Sequence, residues 1–205
     1  MRQVSWSIRA ALAIAVVLAT PGAFAHDAFS SMYAPAGYSQ DLEMRVYHGC
    51  KNSPVQAVRI KIPDNVSRIN IAYSRDWDIE TKMRKLPKPI TMEGGVVINE
   101  TIDEIIWKNP KSPLPANGRW EGFRFRAALP NTPGAILYFR TINECADGQE
   151  PYVDLPQAKF DANSPDVRAQ LGKFMTATAF PSPFLILEKP ARPQYPFDLP
   201  GGPPK

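Results

Sequence analysis

The chain contains only two histidines, His26 and His48. His26 follows a segment typical of a secretory signal peptide: two arginines, a short apolar run and an A-x-A pattern that ends at Ala25. Cleavage after Ala25 would make His26 the first residue of the exported protein. A terminal histidine offers two nitrogen donors to one metal ion, the α-amine and the ring Nδ1, which together form a chelate.

Nitrogen donors in such a chelate favour Cu(II) among the first-row divalent metals. Any residue can follow a cleavage site, so a metal-free terminus is the alternative interpretation of His26. His48 lies near the end of a predicted strand. It is either a second ligand or an ordinary strand-end histidine. These two residues are the candidate metal ligands.

The two cysteines, Cys50 and Cys145, both lie in the part predicted to be exported. An even pair of cysteines outside the cytosol favours a disulfide over two free thiols. With both cysteines paired, cysteine–histidine nucleophilic catalysis is not expected. The net charge of +4 is weak and evenly spread, which argues against nucleic-acid binding. After the leader, no apolar run is long enough to span a membrane.

Alternation of apolar and polar residues predicts about eight short strands from Tyr38 to Ile142. In the clearest of them, Leu42, Met44 and Val46 are each separated by one polar residue. The other strands are predicted at residues 58–62, 66–73, 77–84, 96–99, 105–107, 123–127 and 135–142, with Leu86-Pro87-Lys88-Pro89 ending the strand at 77–84. Short strands without intervening helical periodicity predict an all-β fold, an antiparallel β-sandwich of immunoglobulin- or cupredoxin-like type.

A short helix and a Pro-rich tail are predicted to follow the sandwich. Ser164-Pro165-Asp166 is typical of a helix N-terminus, with Val167, Leu171, Phe174 and Met175 on the apolar face. After Phe180 the chain is rich in proline, so we expect it to be extended and peripheral, with residues 184–187 as an edge strand at most. The predicted organisation is a signal peptide at 1–25, a β-sandwich domain at 26–160, and the helix and tail at 161–205.

Trp77 lies among charged residues, in the sequence Ser74-Arg75-Asp76-Trp77-Asp78. Large aromatic side chains in a polar stretch often mark a functional site, although a half-buried residue at a strand end is the commoner explanation. Trp107 and Trp120 are interpreted as structural.

Several short motifs, in this order and spacing, resemble the YcnI-like family of exported bacterial copper-binding proteins. The resemblance runs from His26 to about Pro156. The motifs are His26 itself, Arg45-Val46-Tyr47-His48-Gly49-Cys50, Ser53-Pro54, Ile60-Lys61-Ile62-Pro63, Trp77, Trp107, Phe123-Arg124-Phe125, residues 134–139 and Glu144-Cys145.

This resemblance implies a copper site at the mature N-terminus of a β-sandwich. By the same resemblance, His26 is the chelator and Trp77 lies beside the ion. In relatives without the cysteines the second ligand resembles a glutamate after the first strand, and near that place this chain has His48. Whether His48 or a carboxylate is the second ligand stays open. Asp76 stands where the family usually has glycine, so the loop of Trp77 is expected to differ.

The resulting hypothesis is a periplasmic copper chaperone or buffer, not an enzyme. Its partners would be the copper ion and a copper-transport or copper-acceptor protein. One alternative is a histidine-brace copper oxygenase, which would need a flat aromatic substrate face and a buried axial tyrosine near the ion, neither of which is evident in the sequence. A second alternative is a metal-free envelope domain, which would follow if His26 and His48 were far apart.

Overall fold

The computed structural model describes residues 26–91 and 94–191. The predicted signal peptide and the end of the Pro-rich tail lie outside these residues. The elements in chain order are β1 (Ala28–Phe29), β2 (Tyr33–Pro35), β3 (Ser39–Val46), β4 (Val55–Lys61), β5 (Ser67–Ile71), β6 (Asp78–Thr91), β7 (Val97–Lys108), β8 (Glu121–Ala128), β9 (Ile136–Tyr138), β10 (Thr141–Cys145), β11 (Gln149–Tyr152), α1 (Val167–Ala177) and β12 (Phe184–Glu188).

The strands form three sheets, with the orders β1-β3-β8-β5, β11-β10-β4-β7-β6 and β2-β12-β9. Pairing is antiparallel except between β12 and β2. Leu42, Met44 and Val46 of β3 point into the core, and Met44 pairs with Phe123 of β8. The Phe123 ring lies 5.3 Å from that of Trp107 on β7, which joins the two larger sheets face to face. The predicted antiparallel β-sandwich is confirmed.

The predicted break at Leu86-Pro87-Lys88-Pro89 is wrong, because β6 continues through both prolines to Thr91. This strand is at the edge of its sheet, and its pairing with β7 shifts register between Lys85 and Ile90. An edge strand tolerates proline because the missing N–H can face away from the neighbouring strand.

The predicted single strand at residues 135–142 is also wrong. The chain divides there into β9 and β10, which belong to different sheets. Phe139 is fully buried at the crossing, where its ring lies 4.8 Å from that of Phe29. Alternation of side chains cannot reveal such a crossing, since both halves keep the same pattern.

The expectation that the chain after Phe180 is peripheral is contradicted by β12. This strand lies in the middle of its sheet, between β2 and β9. Leu185, Ile186 and Leu187 are at most 3% exposed. Three consecutive buried side chains show that β12 packs on both faces, against the sandwich on one side and against α1 on the other.

The helix α1 begins after Asp166, which has no side-chain capping hydrogen bond. Of the four residues predicted to face the core, Val167 and Leu171 are buried, whereas Phe174 and Met175 are only half-buried. Trp120, interpreted as structural, is instead 53% exposed, and the Arg45 guanidinium lies over its ring at 4.7 Å from the centroid.

Two acidic residues of β7, Asp103 and Glu104, hold a network of ion pairs. Glu104 contacts Arg59 at 2.9 Å and Lys82 at 2.6 Å. Asp103 contacts Arg84 at 3.2 Å and also pairs with Lys61. Burial alone would raise the pKa of each carboxyl group, but the hydrogen bonds and charges of the basic partners outweigh it and lower both pKa values.

Acid is therefore expected to destabilise the fold through these two groups. A carboxyl group whose pKa is lower in the folded state stabilises the protein above its unfolded-state pKa, about 4 for Asp and Glu. That stabilisation is lost as the pH falls through the lowered folded-state pKa. In thermal unfolding at pH 6 and pH 3, Glu104→Gln should show a smaller decrease in melting temperature than wild type, each kcal/mol corresponding to about 2–4 °C. Equal decreases in the two proteins would contradict this assignment.

Candidate functional site

His26 lies directly before β1, at one end of the sandwich. Ala28, the first residue of β1, pairs with Arg45 near the end of β3. The two strands are antiparallel, so the same register extended by two residues would place His26 opposite Tyr47, the residue before His48. The His26 ring meets the Tyr152 ring edge-on, with 6.0 Å between centroids. Burial, and then the positive charge of a protonated His48, lower the pKa of His26, while Glu150 opposes the shift. A lowered pKa favours the neutral imidazole, which is the form that binds metal.

His48 is held in the loop that follows β3. Its Nδ1 lies 2.9 Å from the carbonyl oxygen of Gly49 and 3.5 Å from Oε2 of Glu150. The carbonyl oxygen of Gly49 can only accept a hydrogen bond, so Nδ1 carries the proton in this arrangement, and Glu150 lies within ion-pair distance of the same nitrogen. The lone pair of the neutral ring is then on Nε2. The side chain is 29% exposed, which leaves it accessible to an ion from solvent.

A buried polar cluster lies behind the two histidines. Asp27 is 1% exposed and accepts a hydrogen bond from the Asn143 side chain at 2.9 Å. Burial raises the pKa of Asp27 well above its usual value, despite that hydrogen bond, and the charge of Glu150 adds to the increase. The Tyr152 hydroxyl donates to Oε2 of Glu150 at 2.9 Å. Asn143 pairs with Glu150 across β10 and β11, so one hairpin places Asn143, Glu150 and Tyr152, whereas Asp27 directly precedes β1.

The disulfide between Cys50 and Cys145 is confirmed, with a Cα–Cα distance of 6.0 Å. It links the loop of His48 to the end of β10, directly before the turn into β11. The Cys50 N–H also donates to Cys145 Sγ at 3.0 Å. In the chain-entropy model, closing a loop between cysteines 95 residues apart stabilises the fold by about 4–5 kcal/mol. The same bond keeps His48 and Glu150 on neighbouring segments.

Trp77 precedes β6 and belongs to the main hydrophobic core. It is 8% exposed, and its ring meets the Phe123 ring edge-on at 5.0 Å. Its backbone N–H donates to Ser74 Oγ at 3.2 Å. A cavity of about 280 Å³ opens beside it, lined in part by Arg75 and Asp76. These contacts explain Trp77 as a core residue at a strand end, and its place beside a metal ion stays a prediction.

Within residues 26–91 and 94–191, no group of three or more His, Cys, Asp or Glu side chains is arranged to hold a metal ion. The hypothesis needs only two such side chains, His26 and His48. The third donor is the α-amine of His26, and in the full chain this nitrogen is an amide bonded to Ala25. The donor set therefore fits Cu(II) only after cleavage.

Comparison with known proteins identifies the family. Residues 26–170 match the model of a domain of unknown function, DUF1775, which is the domain of the YcnI-like family. The chain belongs to the DUF1775 family. The predicted family is thus confirmed, while copper binding stays a prediction. No curated protein matches the sequence significantly.

Two solved structures resemble this DUF1775 protein. An uncharacterized protein from Nocardia farcinica with an immunoglobulin-like fold is 16% identical, with a TM-score of 0.55 over 80% of this chain and 99% of its own. The seventh ScaB type I cohesin from Pseudobacteroides cellulosolvens is 8% identical, with a TM-score of 0.35 over 83% and 96% of the two chains. The first likeness supports the fold alone.

Sequence reasoning missed four residues of this DUF1775 site: Asp27, Asn143, Glu150 and Tyr152. The signal available was weak. Glu150 and Tyr152 alternate after the turn Asp147-Gly148, which is typical of a short strand following a hairpin turn. In the described part of the chain, no helix is both long and apolar enough to cross a membrane.

Proposed function

We propose that this DUF1775 protein is an exported copper carrier or buffer that binds Cu(II) as cargo at its mature N-terminus. The α-amine and Nδ1 of His26 form the chelate, Nε2 of His48 completes it, and Trp77 lies nearby. One observation carries the proposal: the antiparallel pairing of β1 and β3 places the start of β1, which His26 precedes by two residues, at the same end as the end of β3, which His48 follows by two residues. With only two histidines in the chain, this proximity needs an explanation.

The chemistry of the pair supports cargo binding. The pKa of His26 is lowered, which favours its neutral ring, and Nδ1–H of His48 donates to the Gly49 carbonyl oxygen, which keeps Nε2 as a donor atom for the ion. Neutral nitrogen ligands suit Cu(II). A partly exposed site allows a copper-acceptor protein to reach the ion, as a periplasmic carrier requires.

A protein that begins at His26 is expected to bind one Cu(II) ion, and His48→Ala should weaken binding by at least about tenfold, comparable to the loss of a supporting residue at a metal site. The chelate of His26 remains in this variant, so binding should not be lost completely. Isothermal titration and EPR of the copper-loaded protein measure both effects.

Trp77→Phe serves as the matched control for the quenching of tryptophan fluorescence by copper. If Trp77 lies beside the ion, copper quenches the fluorescence of wild type, and the substitution removes most of that quenching while the calorimetric affinity changes little. Copper binding that His48→Ala leaves unchanged would remove His48 from the site.

One observation supports the oxygenase alternative. A buried tyrosine near the ion was not expected, yet Tyr152 is 2% exposed and its ring lies beside His26. Its hydroxyl donates to Glu150, which gives it a structural partner and favours the carrier. Turnover of oxygen and a reductant by the copper-loaded protein distinguishes the two functions.

The metal-free alternative depended on distant histidines. The antiparallel pairing of β1 and β3 places His26 and His48 at the same end of these strands, which supports the proposal over this alternative.

A further inference from the structure

Glu150 is the acidic side chain of β11 that faces His48. Its Oε2 lies 3.5 Å from His48 Nδ1 and accepts the Tyr152 hydroxyl at 2.9 Å. The side chain is only 14% exposed. A carboxylate held by a buried tyrosine on one side and facing an imidazole on the other has a fixed position, unlike a carboxylate on an open surface.

Glu150 and His48 are far apart in sequence, but the β10–β11 hairpin and the disulfide connect the segments that carry them. Glu150 pairs with Asn143 in the β10–β11 hairpin, and the disulfide joins the end of β10 to the residue two places after His48. The segment that carries the imidazole and the hairpin that carries the carboxylate are therefore covalently linked. Neither can move far without the other.

We infer that Glu150 is a positioning residue for copper: its carboxylate faces Nδ1–H of His48, strengthens the ring as a donor and holds Nε2 toward His26. This inference rests on the proposed function. Metal-binding histidines commonly direct their second ring N–H to a carboxylate or a backbone carbonyl, which fixes the ring and raises its basicity. Here the Gly49 carbonyl oxygen accepts that N–H at 2.9 Å, and Glu150 Oε2 lies 3.5 Å from the same nitrogen, so removing the carboxylate charge leaves the ring in place but without this negative charge beside it.

Glu150→Gln is the sharpest single substitution. The glutamine oxygen can still accept from Tyr152, and the size of the side chain is kept, so the charge is the main loss. In a protein that begins at His26, Cu(II) affinity should fall about tenfold, the lower end of the effect seen for supporting residues at metal sites. The copper hyperfine splitting in EPR should change. Glu150→Asp should bind Cu(II) more tightly than Glu150→Gln, because it restores the negative charge. Without metal, the melting temperature of Glu150→Gln should stay within about 2 °C of wild type, the equivalent of half a kcal/mol.

A double-mutant cycle with His48→Ala tests whether Glu150 acts through His48. In the His48→Ala background, Glu150→Gln should have almost no further effect on affinity. An equal effect in both backgrounds would overturn the inference, because Glu150 would then act on the ion or on His26. A loss of affinity with an equal loss of metal-free stability, and no recovery by Glu150→Asp, would also overturn it.

The wild-type protein separates failure of the inference from failure of the proposed function. If wild type binds Cu(II) tightly and Glu150→Gln binds equally well, the positioning role is wrong and the carrier function stands. If wild type that begins at His26 does not bind Cu(II), the proposed function fails and the inference fails with it.

Discussion

A protein that begins at His26 is expected to bind Cu(II) about 100-fold more tightly than the same protein with its α-amine acetylated, a difference of about 2.7 kcal/mol. Acetylation converts the α-amine to an amide, which is a poor donor at neutral pH. Nδ1 of His26 and Nε2 of His48 are untouched, so the change removes one donor and the chelate ring with it. Isothermal titration of the two proteins under identical buffer conditions measures the difference.

An acetylated chain that keeps Ala25 provides a second comparison, because it also lacks the free amine; a free amine on Ala25 would itself chelate copper together with the His26 ring. Both modified proteins should keep the wild-type melting temperature without copper, since His26 precedes β1 and forms no part of a sheet. The His48→Ala variant is the matched control within the same site. Equal affinity of the acetylated and the free proteins would place the copper site elsewhere on the molecule.

The sandwich was predictable because its strongest signals are local. Leu42, Met44 and Val46 alternate with polar residues, and a strand with one buried face requires that pattern. The disulfide was predictable from the export signal and the even number of cysteines. Neither inference needed to know which strands pair with one another.

The environment of the site was not predictable for the opposite reason. Glu150 reaches His48 only because β11 pairs with β10 and the disulfide joins β10 to the His48 loop. Register between strands distant in sequence is set by the whole core, and no local pattern encodes it. His26 was proposed as a ligand because its chemistry follows from the predicted cleavage site alone.

The C-terminal strand was expected to be an edge strand at most, and its central position was missed because composition outweighed a short apolar run. Prolines surround Phe184-Leu185-Ile186-Leu187, and a Pro-rich segment is usually extended and peripheral. In the folded chain those prolines end the strand without interrupting it. Ile186 N–H donates to Met32 O at 2.7 Å, and Leu187 N–H donates to Ala135 O at 2.9 Å. β12 therefore fills a gap that β2 and β9 cannot close alone.

Ending the chain at Pro183 is expected to abolish cooperative folding. The truncation removes Leu185 and Leu187, which lie in the main core, and Ile186, which packs on α1 with Val167 and Leu171. Each of these side chains contributes about 1.5–3 kcal/mol by burial. Their sum is a large part of the 5–15 kcal/mol that stabilises a typical domain, and β2 and β9 would also lose their shared neighbour. Thermal unfolding followed by circular dichroism should show no sharp transition.

A chain ended at Ala191 is the matched control, because it keeps all of β12 and removes a stretch of similar composition. Leu187→Ala provides a graded version in the full-length chain: it should cost about 2–5 kcal/mol, since Leu187 is 1% exposed and its removal leaves a cavity. Val97→Ala, at a position on β7 that is 54% exposed, should change stability by less than about 0.5 kcal/mol. A sharp unfolding transition in the chain ended at Pro183 would contradict this prediction. It would mean that the sandwich folds cooperatively without β12, and that β12 only docks onto a core that is already complete.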